Sequence, residues 1–326
     1  MMALQIYAYI LHKDGAVDDT ALEMVAAAGK LDPAASLTAI VAGSKIDSVC
    51  KSLTASFKEV WKIDNDALSY PNSEVIRGLL SRIIPKDGIM LIAHDHFGMD
   101  LAPGLSVKLD GTYLPDTVDF EGVEGNKLKA VRQEFGGQVS THVMCDISGG
   151  AVITIRAGAF RAAEVPNAGG AVVDKTADAL AGGLPGGTRR FVEIVAAEVG
   201  DVDITKSEIL VSVGRGIGEQ ENIEIIKELA KAVGGDVSCS RPIVDAKWLE
   251  KSRQVGTSGQ TVKPKVYMAL GISGSFQHLG GIKGSPFMVA VNKNPKAPIL
   301  QVADIGVIED MLEFVPMLTE KINELK

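Results

Sequence analysis

The chain has 326 residues, a formal net charge of -8, and 46% hydrophobic and 23% charged side chains, the make-up of a globular protein long enough for two domains. The acidic balance excludes a general nucleic-acid footprint, and no apolar run approaches the ~18 residues that cross a bilayer. Cys50, Cys145 and Cys239 form no Cys-x-x-Cys pair, which excludes a zinc ribbon or an all-cysteine iron–sulfur cluster within this chain and suits a reducing, cytoplasmic setting.

The first ten residues read directly as a strand and carry no basic segment of the kind that opens a signal peptide. Residues 4–10, 36–41, 59–63 and 88–93 are short apolar runs with β-branched side chains, the pattern of buried strands. Helical spacings fall between them. One opens at Thr20 with Glu23 three residues on, a capping box. Another covers about residues 73–84 and stops before Pro85. The pair His94 and His96 follows the last of these strands and is read as no metal site. From about Tyr113 to Arg156, alternating runs such as 139–145 and 151–156 predict extra, partly antiparallel strands. A Gly- and Ala-rich stretch, 169–187, leads to a strand expected at 190–195, and the polar run 198–207 reads as a linker. Strand–helix alternation then restarts: strand 209–213, helix 222–233, strands 237–240, 266–270 and 287–291, and a helical pattern over 308–325 interrupted by Pro316. The fold class is therefore α/β, with two domains, 1–203 and 204–326, each a mostly parallel sheet covered by helices. The second is expected to be a Rossmann-like nucleotide-binding domain.

Two strands of the second half run straight into glycine turns. Residues 209–213 precede Gly214-Arg215-Gly216-Ile217-Gly218, and residues 266–270 precede Gly271-Ile272-Ser273-Gly274-Ser275. Such turns let backbone N–H groups approach an anion, and a following helix adds a favourable dipole. In a parallel sheet they gather at the carboxyl edge, where ligands bind. Glu219 stands where the dinucleotide fingerprint needs a third glycine, and no Walker lysine is present. The residues alone point to a nucleotide-binding domain that holds a pyrophosphate.

More specific are motifs that occur in fixed order: Gly214-Arg215-Gly216, Ser240-Arg241-Pro242, Gln254-Val255-Gly256-Thr257-Ser258-Gly259, Gly271 through His278, Val291-Asn292-Lys293-Asn294-Pro295, Ala297-Pro298-Ile299 and Gln301-Val302-Ala303-Asp304. Over about residues 205–326 the chain resembles the FAD domain of the electron-transfer flavoprotein alpha subunit. The N-terminal half resembles that family more loosely, through Gly98-Met99-Asp100-Leu101-Ala102-Pro103 and Ile153-Thr154-Ile155-Arg156. The resemblance implies FAD as cofactor, a heterodimer with a beta subunit contacted by residues 1–203, and electron shuttling. Flavin dehydrogenases, or a nicotinamide-linked partner, would supply electrons to a downstream redox acceptor.

Carried over by position, Arg215, Ser240, Ser273, Gly274, Ser275, Phe276, Gln277, His278, Asn292, Asp310 and Met311 match residues that hold FAD. The segment Gln254-Val255-Gly256-Thr257-Ser258 matches a wall of the same site. Arg241 matches an arginine packed near the flavin ring, Ser258 a hydroxyl bonded to flavin N5, and His278 a histidine near the C2 carbonyl. The family usually has glutamine and threonine where this chain has Thr257 and Ser258. Taken singly, Arg215 reads as a surface arginine, His278 as a locally bonded helix residue, Asn292 as a turn residue and Asp310 as a helix-start carboxylate. No general acid or base is evident, so the chain reads as a carrier with no catalytic residue. Two other readings stay open: a nicotinamide-binding oxidoreductase or transhydrogenase-like module, and an adenine-nucleotide sensor built on the first domain.

Overall fold

Apolar runs without alternation become parallel strands buried on both faces. The computed structural model describes residues 4–13, 15–18, 20–135, 139–160, 168–193, 202–284 and 286–326, and the chain divides into units 1–193 and 194–326. In the first unit the order is β1 (Gln5–Tyr9), β2 (His12–Lys13), β3 (Ala16–Val17), α1 (Thr20–Leu31), β4 (Ser36–Gly43), α2 (Asp47–Leu53), β5 (Glu59–Asp64), α3 (Ser73–Ile83), β6 (Ile89–Ala93) and α4 (His96–Leu109). It continues with β7 (Thr112–Glu124), β8 (Lys127–Glu134), β9 (Val139–Asp146), β10 (Ala151–Ile155), β11 (Ala171–Asp174) and α5 (Thr176–Ala179). The main sheet runs β11-β5-β4-β1-β6-β10-β7-β8-β9. It is parallel from β11 to β7, and only β8 and β9 are antiparallel additions. Along β6, Ile89, Leu91 and Ala93 join one apolar cluster with Met24 of α1 and Val49 of α2. Met90 and Ile92 join the other, with Leu79 of α3 and Leu101 of α4.

The structure departs from the sequence pattern at several points. The oxygen that caps α1 belongs to Asp18, whose carboxylate accepts from the Thr20 amide at 3.0 Å and from its hydroxyl at 2.6 Å, so Thr20 is the first helical residue. Glu23 accepts from the Gly158 amide at 2.7 Å. The run at 151–155 is parallel and interior, between β6 and β7. The Gly- and Ala-rich stretch holds β11 and α5, and residues 190–193 form no strand. The rest of that expected strand, and linker residues 198–201, lie outside the described residues.

The second unit orders β12 (Ile209–Val213), α6 (Ile223–Val233), β13 (Asp236–Cys239), α7 (Arg241–Asp245), β14 (Val266–Leu270), α8 (Phe276–Leu279), β15 (Phe287–Val291), α9 (Ile299–Val302), β16 (Ile305–Val307) and α10 (Met311–Glu324). Its sheet, β13-β12-β14-β15-β16, is parallel throughout. This is the doubly wound order whose connections diverge between the first and third strands, here β12 and β14, and open a crevice at their carboxyl ends. Helix α6 buries Ile223, Ile226, Leu229 and Ala230, a stripe at three- and four-residue spacing, and stops at Gly234 in the left-handed conformation. Helix α10 runs through Pro316, against expectation. Met311 and Val315 are buried with Ile226 and Leu229 of α6, and this packing outweighs the backbone hydrogen bond that proline removes.

Candidate cofactor site

The two glycine turns meet at the crevice. The Gly214 amide donates to the Leu270 carbonyl at 2.8 Å, and the Gly216 amide to the Gly271 carbonyl at 3.0 Å. A side chain on Gly214 would place its Cβ 2.4 Å from the Gly271 oxygen, and Gly271 itself has φ +62. Glycine is therefore required for this approach. The turn after β12 does not open directly into a helix: two 3-10 turns, Arg215–Ile217 and Gln220–Asn222, precede α6. The expected helix dipole is thus displaced from the first turn, and positive charge there comes from Arg215.

A cavity of about 700 Å³ lies over these strand ends, within the range of ligand sites, roughly 300–1,000 Å³. Arg215 enters from the first turn and Ser240 and Arg241 from the end of β13. Gln254, Val255, Gly256, Thr257 and Ser258 form one wall. Ser273, Ser275, Gln277 and His278 come from the second turn and α8, and Asn292 from the end of β15. A depression of about 790 Å³ elsewhere in the unit is lined by Lys227, Lys231 and Trp248, away from the glycine turns.

The wall is pinned at both ends. Val255 donates to the Cys239 carbonyl at 2.9 Å, and Thr257 to the Gln277 carbonyl at 2.8 Å. Gln254 is buried, and its Nε2 donates to Ser258 Oγ at 2.9 Å. Asn292 Nδ2 donates to the Ile272 carbonyl at 2.8 Å, and its Oδ1 accepts from the Asn294 amide at 2.9 Å, so it ties two turns together. His278 is 5% exposed. Its Nδ1 lies 3.1 Å from the Val255 carbonyl and its Nε2 2.8 Å from the Tyr267 hydroxyl. A carbonyl only accepts, so Nδ1 carries the proton and Nε2 accepts from Tyr267. Burial pushes the His278 pKa down to about 4. The ring is neutral at pH 7 with both nitrogens engaged inside the protein, and the cationic groups of the cavity are Arg215 and Arg241.

Four expected residues do not line the cavity. Gly274 makes the tight turn beneath it, with φ +82 and a Cβ that would sit 2.5 Å from the Ile299 amide nitrogen. Phe276 is 44% exposed. Asp310 caps α10 through the Leu312 amide and pairs with Lys293 at 2.7 Å. That pairing, then the cap, holds its carboxyl below the usual range. Met311 is buried behind the second turn, where its sulfur limits space at Gly271. The cavity adds Gly216, Pro242, Asp245, Gly271 and Ile272. Asp245 was legible in principle, standing four residues after Arg241 on one helical face. Its Oδ2 lies 3.4 Å from Arg241 Nε.

The donor set fits a flavin nucleotide. Among the described residues, the side chains of Arg215, Ser240, Ser273 and Ser275 find no hydrogen-bond partner in the protein. One cation, three hydroxyls and two glycine turns face a single crevice, as a pyrophosphate and a polyol chain require.

Residues 203–283 match the family described as the electron transfer flavoprotein FAD-binding domain, and residues 6–181 match the electron transfer flavoprotein domain. The electron transfer flavoprotein alpha subunit of Thermoanaerobacterium thermosaccharolyticum is 32% identical, with 98% of each chain covered. Protein FixB of Clostridium saccharobutylicum is 31% identical over 98% of this chain and 96% of that one. The LctC subunit of the NAD(+),ferredoxin lactate dehydrogenase of Acetobacterium woodii is 28% identical over 98% of this chain and 77% of its own. Matches over both units, with a cavity suited to a flavin nucleotide at the second, place the chain in the electron transfer flavoprotein alpha-subunit family, with the family's FAD-binding domain at its C-terminal end.

Proposed function

We propose that the chain holds one FAD in the crevice between β12 and β14 and carries electrons as one half of a heterodimer with a beta subunit. Electrons would come from flavin dehydrogenases or a nicotinamide-linked donor and pass to a further redox protein. The observation that carries the site assignment is the interlocked pair of glycine turns, flanked by Arg215 and Arg241, at the point where the connections of the second unit's sheet diverge. Bound FAD supplies the electron chemistry; the chain supplies binding, orientation and electrostatics. Arg215 and the turn amides would face the pyrophosphate, Ser273 and Ser275 the polyol chain, and Arg241 and Ser258 the ring. Residues 1–203 would form the domain that meets the beta subunit. The three cysteines are free, two of them buried, which supports a reducing, cytoplasmic location.

The test is flavin content and mass of the chain purified with its co-expressed partner subunit. One FAD per alpha chain, lost in Arg215→Ala at dilution, and a heterodimer mass by light scattering are expected. A flavin-loaded monomer, or a colourless heterodimer, contradicts the reading. A second flavin per heterodimer would belong to the partner and would favour two-acceptor chemistry of the kind the name of the LctC relative describes.

A further inference from the structure

Gln254 is fixed from several sides. It is 4% exposed, its amide donates to the Lys251 carbonyl at 3.1 Å, and its carbonyl accepts from the Gln260 amide at 2.7 Å. Its side-chain Nε2 donates to Ser258 Oγ at 2.9 Å. An amide NH2 group only donates, so the serine oxygen is the acceptor in this contact. The hydroxyl hydrogen of Ser258 is then left for another acceptor. Among the described residues no protein group takes it, and both residues line the cavity. Serine has no β-methyl to restrict χ1 as threonine does. The Gln254 contact fixes the rotamer instead.

We propose that Gln254 is a positioning residue that sets the polarity of Ser258, holding its hydroxyl as a donor toward the bound flavin. This rests on the reading of Ser258 as the ring-side hydroxyl. An oxidised flavin offers an acceptor at N5, whereas a fully reduced one carries a hydrogen there and offers a donor. A hydroxyl held as a donor therefore favours the oxidised ring over the reduced one. One hydrogen bond is a modest but measurable contribution. Gln254 touches Ser258, and its effect on the cofactor passes through that oxygen.

The experiment is a redox titration of the flavin-loaded heterodimer as wild type, Ser258→Ala, Gln254→Met and the double variant, with FAD affinity measured in parallel. Ser258→Ala should change the ratio of affinities for reduced and oxidised flavin by roughly ten-fold, raising the two-electron midpoint potential by about 30 mV. Gln254→Met should shift it in the same direction, by at least a few-fold in that ratio, and should have no further effect in the Ser258→Ala background. Gln254→Leu, neutral and close to glutamine in size, repeats the comparison in both backgrounds should the methionine variant fail to fold. A Gln254 effect equal in both backgrounds, or none while Ser258→Ala shifts the potential, overturns the positioning role and leaves Ser258 at the ring. No shift in Ser258→Ala with FAD still bound overturns both.

Discussion

Arg241 is 69% exposed at its side chain and lies 3.4 Å from Asp245, itself 62% exposed. An exposed unit charge in contact with another in water is worth about 1 kcal/mol, and solvent screens it further. For a one-electron step that is roughly 40 mV. Arg241→Ala should therefore lower the flavin midpoint potential by at most a few tens of millivolts, and Asp245→Ala should raise it. Spectroelectrochemical titration checks both, and unchanged potentials with normal FAD content would place the pair outside the ring's field. His278 offers a pH test. Burial holds its pKa near 4 in the fold, against 6.5 for an ordinary imidazole. Between those values the unfolded chain binds more protons, so the contribution of His278 is complete above about pH 6.5 and is lost as pH falls toward 4. The slope reaches about 1.4 kcal/mol per pH unit at most. Urea titrations of wild type and His278→Gln should show a stability difference that shrinks from pH 7 to pH 5. A difference that stays constant would show that His278 titrates normally.

At the scale of elements, what the sequence displayed was whatever periodicity and turn chemistry encode locally. The apolar runs at 36–41, 88–93, 209–213 and 266–270 match β4, β6, β12 and β14 to within a residue or two at the ends because strands covered on both faces need unbroken apolar stretches. β11 gives only a weak signal, because Ala171–Asp174 is short and largely exposed at the sheet edge. β16 gives an even weaker one, because Ile305–Val307 is short, contains Gly306 and is mostly exposed. Pro316 does not break α10, because packing by Val315 and Met311, which no local rule reports, keeps the helix whole. Among site residues the divide is similar. Ordered motifs brought Arg215, Ser240 and the 254–258 wall to one cavity. Three-dimensional placement alone shows that Met311 sits behind the turn and that His278 has both nitrogens engaged.

For the whole molecule, a chain of net charge -8 brings two arginines to one cavity in its second unit, a local reversal of sign that suits an anionic cofactor. FAD binding there should stabilise that unit. A ligand at 100 times its dissociation constant adds about 2.7 kcal/mol to the folded state, which slows exchange of amides that open only on unfolding by roughly 100-fold. The core amides of β12, β14 and β15, each hydrogen-bonded within the five-stranded sheet, report this directly. Hydrogen exchange followed by mass spectrometry, at fixed partner-subunit concentration with FAD titrated, should show their protection rise with flavin occupancy. The 254–260 and 271–278 segments should be protected as well, since they wall the cavity. Flavin-dependent protection confined to residues 4–193, with β12 and β14 unchanged, would move the cofactor to the first unit and remove the basis for assigning Arg215, Arg241 and Ser258 to it.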